Sequence, residues 1–341
     1  MTAAQVDTQA APGARRARPR GLAARAAAAL GRAAALLAAA SVVVFVLLRV
    51  LPGDPAAVAL GVNATDEEVA ELSARLGLDR PLIVQYLDWV GGLLTGDLGV
   101  SLSSEQDMTP IIADRAQVSA ILCGLAMLLA AAIALPLGAW AALRPRGGGR
   151  FAAVISQVGL AVPSFLLGIV LVALFAVRLG WLPANGWVPP EAGLGEFASR
   201  LVMPVAALAV VQGAILTRFV RATFSDVAGR DFFRTARALG QSRAGALRRH
   251  GWRSAAGPLL ATGAVQLAQL VAGAVVVERV FVIPGLGSLL VDAVGQRDLT
   301  TVQSVVMIIV AATIAITAAA DVAAAAADPR PRSTGGEDRA R

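Results

Sequence analysis

Lysine is absent from this 341-residue chain, and cysteine, histidine and tyrosine each occur once. Without lysine the chain cannot contain the GxxxxGK[ST] loop that cradles nucleotide phosphates, so it has no P-loop for ATP hydrolysis. Because Cys123 has no second cysteine, it cannot form an intrachain disulfide, and we expect a small packing residue. One cysteine and one distant His250 also exclude a structural zinc site and a Cys–His nucleophile pair. We therefore expect no catalytic, cofactor or metal site.

Charged residues are scarce as well. They make up 16% of the chain against 57% hydrophobic residues, and the mean hydropathy is +0.68. Soluble domains contain about 45–50% apolar residues, so this composition indicates a membrane protein. Six apolar stretches are long enough to cross a bilayer core, which takes about 20 helical residues. They cover about 29–50, 117–142, 151–177, 202–220, 258–282 and 303–325. We predict an all-α polytopic membrane protein with six transmembrane helices.

The distribution of arginine predicts the orientation of these helices. Nine arginines and two acids lie between Arg218 and Arg253, whereas eleven acids and three arginines lie between Asp54 and Arg115. By the positive-inside rule, both termini and the Arg-rich loops are cytoplasmic. The net charge of +7 does not indicate nucleic acid, because the arginines are spread over membrane borders rather than gathered on one soluble face.

The N-terminal end leaves two alternatives open. Basic residues, an apolar run and Ala38-Ala39-Ala40 resemble a cleavable signal peptide, but the run continues to Val50 and favours a retained signal-anchor helix. We predict that residues 1–28 form a disordered cytoplasmic tail and that residues 326–341 form a cytoplasmic C-terminal tail. The Arg-rich N-terminal tail either contacts anionic membrane lipid or enforces orientation.

The most informative segment lies in the Arg-rich loop, where residues 232–240 read FFRTARALG. The spacing predicts a short amphipathic helix with Phe232, Ala236 and Leu239 on one face and both arginines off it. Gly240 is a helix-ending residue. A helix of this kind on the cytoplasmic side of a membrane protein is suited to docking in a groove on a soluble partner.

This segment carries a family resemblance. Thr235 to Gly240, followed by Ser242 and Arg248-Arg249-His250, resembles the coupling loop of ABC-type importer permeases, with the dipeptide/oligopeptide/nickel branch the most similar. Further segments resemble that branch in the same order, and the resemblance covers about residues 35–332. These segments are Phe45 to Pro55, Leu76 to Pro81, Gly96 to Ser101, Pro163 to Gly168, Arg178 to Pro183, Glu278 to Gly287 and Asp328 to Arg330.

The resemblance implies a type I ABC importer permease fold in the cytoplasmic membrane. It implies a first transmembrane helix at 29–50, an extracytoplasmic region at 51–114 and a transmembrane domain at 115–325 with a cytoplasmic coupling loop at 221–257. The implied function is ATP-driven import of di- or oligopeptides, while nickel or another small solute stays open. An ion-coupled secondary transporter is the alternative from another class. Six helices with few intramembrane charges argue against it.

The resemblance also implies the partners. They are a second permease subunit (a different, related chain), two P-loop ATPase subunits, an extracytoplasmic solute-binding protein and membrane lipid, with no nucleic acid. The ATPases hydrolyse ATP, so the chain itself is not an enzyme. The residues implied to couple to an ATPase are Phe232, Phe233, Arg234, Thr235, Ala236, Arg237, Ala238, Leu239 and Gly240.

Glu278, near the outer end of the fifth predicted helix, has two interpretations. A charged residue in this position can mark the transport pathway, or it can have a structural role by pairing with Arg279 or Arg49. We favour the structural role.

Overall fold

The computed structural model describes residues 22–50, 55–60, 64–75, 77–144 and 147–327. Within these residues the regular structure is helical, with one isolated antiparallel bridge between Val100 and Asp107. The helices are α1 (Leu22–Val50), α2 (Pro55–Leu60), α3 (Asp66–Arg75), α4 (Leu82–Thr95), α5 (Met108–Leu143), α6 (Gly148–Ala161), α7 (Ser164–Leu171), α8 (Leu194–Gly229), α9 (Asp231–Ala238), α10 (Arg243–Ala246), α11 (Trp252–Val280), α12 (Leu286–Gly295) and α13 (Leu299–Ala327). Val172–Arg178 and Leu247–Gly251 are π-helical, and Pro190–Ala192 forms a 3₁₀ turn.

Several sequence predictions fall outside the described residues. These are the N-terminal tail up to residue 21, the Pro52-Gly53-Asp54 part of the first resemblance segment, and the C-terminal residues 328–341. The helix α1 begins at Leu22, seven residues before the predicted start of the first transmembrane helix.

Five helices in the described part of the chain are long and apolar enough to cross a membrane. They are Ala26–Val50, Met108–Leu143, Leu194–Gly229, Arg243–Val280 and Leu299–Ala324, where the fourth joins α10, the π-helical turn and α11. They coincide with five of the six predicted transmembrane segments, and the second, third and fourth of them extend well beyond the predicted bounds.

The third predicted segment, 151–177, is not one helix, and the prediction of an uninterrupted helix there is wrong. The helix α6 ends at Ala161, and α7 begins at Ser164 after the extended residue Pro163 (φ −62°, ψ 138°). Proline has no N–H for the helix ladder, and its ring crowds the carbonyl four residues earlier, which favours such a break. The count of six crossings stays a prediction.

The helix α8 lies at the centre of the bundle, in contact with α5, α6, α7 and α11. Of its most apolar stretch, 67% is buried inside the chain, against 11% for the corresponding stretches of α1 and α13. The helices α1 and α13 contact each other and expose most of their apolar surface. These two helices therefore form a peripheral layer with a face for lipid or another subunit.

Small residues let α5 approach α8 closely. Ala126, Ala130 and Ala134 are fully buried at four-residue intervals, which places them on one face of α5. Gly138 continues this face, and a Cβ there would lie 2.6 Å from Val220 Cγ1. This pattern is typical of membrane helix pairs, where contact between backbones replaces the hydrophobic driving force available in water.

Two clusters of buried side chains define the ends of the bundle. At the Arg-rich end, Val227, Phe233, Leu247 and Ala255 pack together with the last turns of α5. At the opposite, acidic end, a second cluster joins the starts of α5, α12 and α13. The same end is fastened by Asp298, whose carboxylate accepts hydrogen bonds at 2.6 Å from both Ser101 Oγ and Thr301 Oγ1.

Candidate functional site

The predicted amphipathic helix is present at the Arg-rich end as α9. The preceding helix α8 stops at Gly229 because Arg230 takes an extended conformation (φ −76°, ψ 154°) and redirects the chain. Asp231 lies in the first turn of α9 and Arg237 in the last, and both charges complement the helix dipole. The turn is further held by an ion pair of 3.1 Å between Arg230 and Asp226.

The apolar face predicted to dock on a partner is divided, because Ala236 is buried in the bundle while Leu239 is exposed. Phe233 and Ala236 are buried, with 3% and 6% of their surface exposed, and both belong to the cluster that contains Val227 and Leu247. Phe232 is only half-buried. The extended conformation of Arg230 sets the direction of α9 so that Phe233, and not Phe232, enters the buried cluster.

The outward surface of α9 and its end is a mixture of apolar and basic groups. Leu239, predicted to lie on the apolar face, is 78% exposed. Around it lie the other exposed members of the predicted set, which are Arg234, Thr235, Arg237, Ala238 and Gly240. An isolated exposed leucine among arginines is suited to enter an apolar groove with an acidic rim.

The helix ends at the predicted glycine in a Schellman motif. Gly240 has φ +85°, its N–H donates to Arg237 O at 3.1 Å, and Gln241 N–H donates to Ala236 O at 3.2 Å. Arg237 Nη1 also donates to Gln241 O at 2.6 Å. Ser242 then caps α10 by accepting a hydrogen bond from Gly245 N at 3.0 Å. The segment from α8 to α11 is therefore a series of helices joined by hydrogen-bonded turns.

An aromatic contact joins the two long helices on either side of α9, and α9 packs into the same buried cluster. Phe224 of α8 and Trp252 of α11 make an edge-to-face contact with 5.0 Å between ring centroids. Phe224 and Phe233 belong to the same buried cluster. A displacement of α9 would therefore be passed directly to α8 and α11, because close-packed side chains transmit strain.

Comparisons with known proteins identify the family. A family profile described as the binding-protein-dependent transport system inner membrane component matches residues 134–333, and the profile for the N-terminal part of that component matches residues 26–122. The chain belongs to this family. It is therefore an ABC importer permease, a multi-pass protein of the cytoplasmic membrane.

Three curated relatives of the permease cover nearly its whole length. A probable peptide ABC transporter permease of Sinorhizobium fredii is 34% identical over 85% of this chain and 93% of its own length. A putative peptide transport system permease of Brucella abortus is 36% identical, over 86% and 93%. A glutathione transport system permease of Salmonella typhimurium is 35% identical, over 85% and 92%.

The fold of the permease also matches a solved structure. The MetNI methionine ABC transporter in an inward-facing conformation contains a chain with a TM-score of 0.56 and 16% identity, over 65% of the permease and 98% of that chain. Together with the long apolar helices, this match confirms the all-α type I permease fold.

The buried Glu278 of the permease has a structural role, but its partners differ from those predicted. Arg279 pairs with Asp292 at 2.7 Å, and Arg49 lies over the ring of Phe45. Glu278 is 1% exposed and accepts hydrogen bonds from Ser119 Oγ at 2.6 Å and from Ser288 N at 3.0 Å. No sequence pattern pointed to Ser119, which lies 159 positions away from Glu278.

This cluster joins three helices at the acidic end. Ser119 of α5 accepts from Leu286 N at 2.8 Å and donates to Glu278 of α11, which also binds the N-terminal N–H of Ser288 in α12. A carboxylate at a helix N-terminus is favoured by unpaired N–H groups and by the helix dipole. A Cβ at Gly285 would collide with the carboxylate, so glycine is needed for this close approach. No set of three or more His, Cys, Asp or Glu side chains among the described residues is arranged to hold a metal ion.

Proposed function

We propose that the permease imports di- or oligopeptides and is coupled to a separate ATPase through residues 232–240. The names of the relatives support the peptide class, since two are peptide permeases and the third transports glutathione, itself a tripeptide. The observation that carries the coupling proposal is the exposed Leu239 at the end of a helix whose other face is anchored by Phe233.

The proposed coupling is mechanical. The Arg-rich end faces the cytoplasm, and Leu239 with its neighbouring arginines enters a cleft on one ATPase subunit. When ATP binding closes the pair of ATPases, α9 moves with the cleft. The buried contact of Phe233 with Val227 and Leu247 transfers this movement to α8 and α11, so that the bundle alternates between inward-open and outward-open states.

The proposed complex contains a second, related permease, two P-loop ATPases and an extracytoplasmic solute-binding protein. The exposed faces of α1 and α13 leave room for lipid or a neighbouring subunit. The permease is the non-catalytic part of this complex, because its lysine-free sequence lacks a P-loop. ATP hydrolysis is assigned to the partners.

Uptake by whole cells tests the substrate class. A strain from which this permease gene is deleted should lose uptake of a labelled dipeptide or tripeptide, and the wild-type gene should restore it. Excess unlabelled peptides should compete, whereas nickel salts and free amino acids should not. Restored uptake of nickel without any peptide uptake would instead favour the nickel branch.

Substitution of Gly240 should weaken coupling without unfolding the chain. A Cβ at Gly240 has no atom within 4 Å, so Gly240→Ala costs only the strain of a positive φ, about 1 kcal/mol. Gly240→Pro cannot reach φ +85° and also removes the hydrogen bond to Arg237 O, so transport should be lost. Size-exclusion chromatography and peptide uptake measure the two effects.

Gly180 is the matched control for this prediction, because it also has a positive φ (+64°) and open space around its Cβ position. Gly180→Ala and Gly180→Pro make the same substitutions away from α9, and they should leave peptide uptake unchanged. Normal transport by the Gly240→Pro variant would show that the end of α9 has no part in coupling.

A further inference from the structure

Three glutamines form a hydrogen-bonded series across the middle of the bundle. Gln212 Nε2 of α8 donates to Gln266 Oε1 of α11 at 2.6 Å, and Gln266 Nε2 donates to Gln269 Oε1 at 3.0 Å. Gln212 and Gln266 are each 6% exposed, while Gln269 is exposed. The series therefore begins in the buried core and ends on the surface of the chain.

Gln269 lies deep in the membrane. It follows Arg253 by 16 positions and precedes Arg279 by 10, which corresponds to about 24 Å and about 15 Å along the helix. Its Oε1 is used by Gln266, and its NH₂ group donates to no other described residue. By contrast, Thr217 Oγ1 of α8 donates to Gly213 O of its own helix at 2.7 Å.

The surface around Gln269 is a continuous stripe along α11. Val265, Gln269, Ala272 and Val276 are spaced by four, three and four residues, so they share one face, and all four are exposed. The stripe carries no charge. Contact with lipid would leave the NH₂ group of Gln269 without a partner, at a cost of several kcal/mol for an unsatisfied polar group in hydrocarbon.

We propose that this stripe lines the transport pathway and that the Gln269 amide hydrogen-bonds the backbone of a peptide in transit. This inference rests on the proposed function. A free NH₂ donor matches a peptide carbonyl, and the hydrogen bond from Gln266 fixes its orientation. An uncharged amide among small apolar side chains of the permease can bind the repeating backbone of the peptide without contacting the peptide's side chains. This arrangement is suited to a pathway for peptides of varied sequence.

Cysteine labelling tests the pathway assignment directly. Cys123, the only native cysteine, is buried and can be replaced by alanine, so that Gln269→Cys becomes the single thiol of the chain. A charged methanethiosulfonate reagent should modify it in the reconstituted importer, and modification should block peptide uptake. The control is Leu36→Cys, in the middle of α1 and 58% exposed. It should react at least about tenfold more slowly, because a thiol facing lipid does not ionise.

Two results would overturn the assignment. Reaction of Gln269→Cys only with a lipophilic maleimide would place it against lipid. Failure to react with either reagent, together with a disulfide to a cysteine placed on the second permease, would place it in a subunit interface. Peptide uptake by the unlabelled variant is measured in the same preparation. If the unlabelled variant still takes up peptide, the proposed function is supported regardless of the labelling result.

A second set of variants tests the hydrogen bond itself. Gln269→Leu should lower peptide uptake per ATP hydrolysed about fivefold, the effect of one hydrogen bond, and leave ATPase activity intact. Gln269→Asn should recover part of the loss, and Val265→Leu, on the same stripe without a polar group, should have little effect. Equal uptake by Gln269→Leu and wild type would contradict a contact with the peptide.

Discussion

Leu239→Asp should abolish retention of the ATPase subunits by the purified permease while leaving the permease folded. Leu239 is 78% exposed and is absent from the buried clusters, so its replacement should not disturb the described part of the bundle. In the proposed complex this leucine is buried in a cleft on the ATPase. Burial of a leucine contributes about 2–3 kcal/mol, and a buried aspartate adds a desolvation cost. We expect at least about a 100-fold weaker association, which corresponds to about 2.8 kcal/mol.

Two further variants make this prediction selective. Leu94→Asp is the matched control, because Leu94 is 83% exposed in α4, far from α9 in the sequence, and ATPase retention should be unchanged. Phe233→Ala should also reduce coupling, because it removes the buried side chain that holds α9 against the bundle. Unlike Leu239→Asp, it should make the permease less stable as well. If Leu239→Asp retains the ATPases as wild type does, the docking role of 232–240 is wrong.

Glu278→Ala should have the largest effect on stability. It removes the acceptor for Ser119 Oγ and Ser288 N at a site that is 1% exposed. Each stranded buried donor costs about 1–3 kcal/mol, and the cavity adds to this, so we expect a loss of about 4 kcal/mol. Thermal unfolding in detergent should begin about 5 °C below wild type.

The ion pair that Arg279 makes with Asp292 provides the control. Asp292→Ala removes the partner of Arg279, a pair whose side chains are about half exposed, and should cost less than about 1 kcal/mol. Glu278→Gln keeps one oxygen acceptor and should lie between these two variants. If Glu278→Ala were as stable as wild type and Asp292→Ala were strongly destabilised, the Arg279–Asp292 pair and not the Glu278 cluster would stabilise this end of the bundle.

The long helices could be predicted because a bilayer crossing requires only a local run of about 20 predominantly apolar residues. Runs such as 117–142 and 303–325 contain enough consecutive apolar residues to identify a crossing without any knowledge of their neighbours. The end of α9 could be predicted for the same reason, since Gly240 alone supplies the positive φ that its Schellman motif needs.

The remaining features depend on contacts between distant parts of the chain. The choice of Phe233 over Phe232 as the anchor follows from the direction of α9 against α8 and α11, which no local pattern contains. The partners of Glu278 come from α5 and α12. At Pro163 the sequence did contain the signal for a break. The apolar composition of 151–177 nevertheless favoured one continuous helix. A proline alone does not decide the matter, because Pro204 lies within the unbroken helix α8.

Affinity purification of the tagged chain from its native membrane in mild detergent, followed by reconstitution into liposomes, tests the central claim most directly. We predict that a P-loop ATPase and a second permease co-purify, and that peptide uptake requires ATP and the solute-binding protein. Both the co-purification and the uptake should be lost when residues 232–240 are altered. A chain that purifies alone and moves solute under an ion gradient without ATP would contradict the importer assignment and favour a secondary transporter.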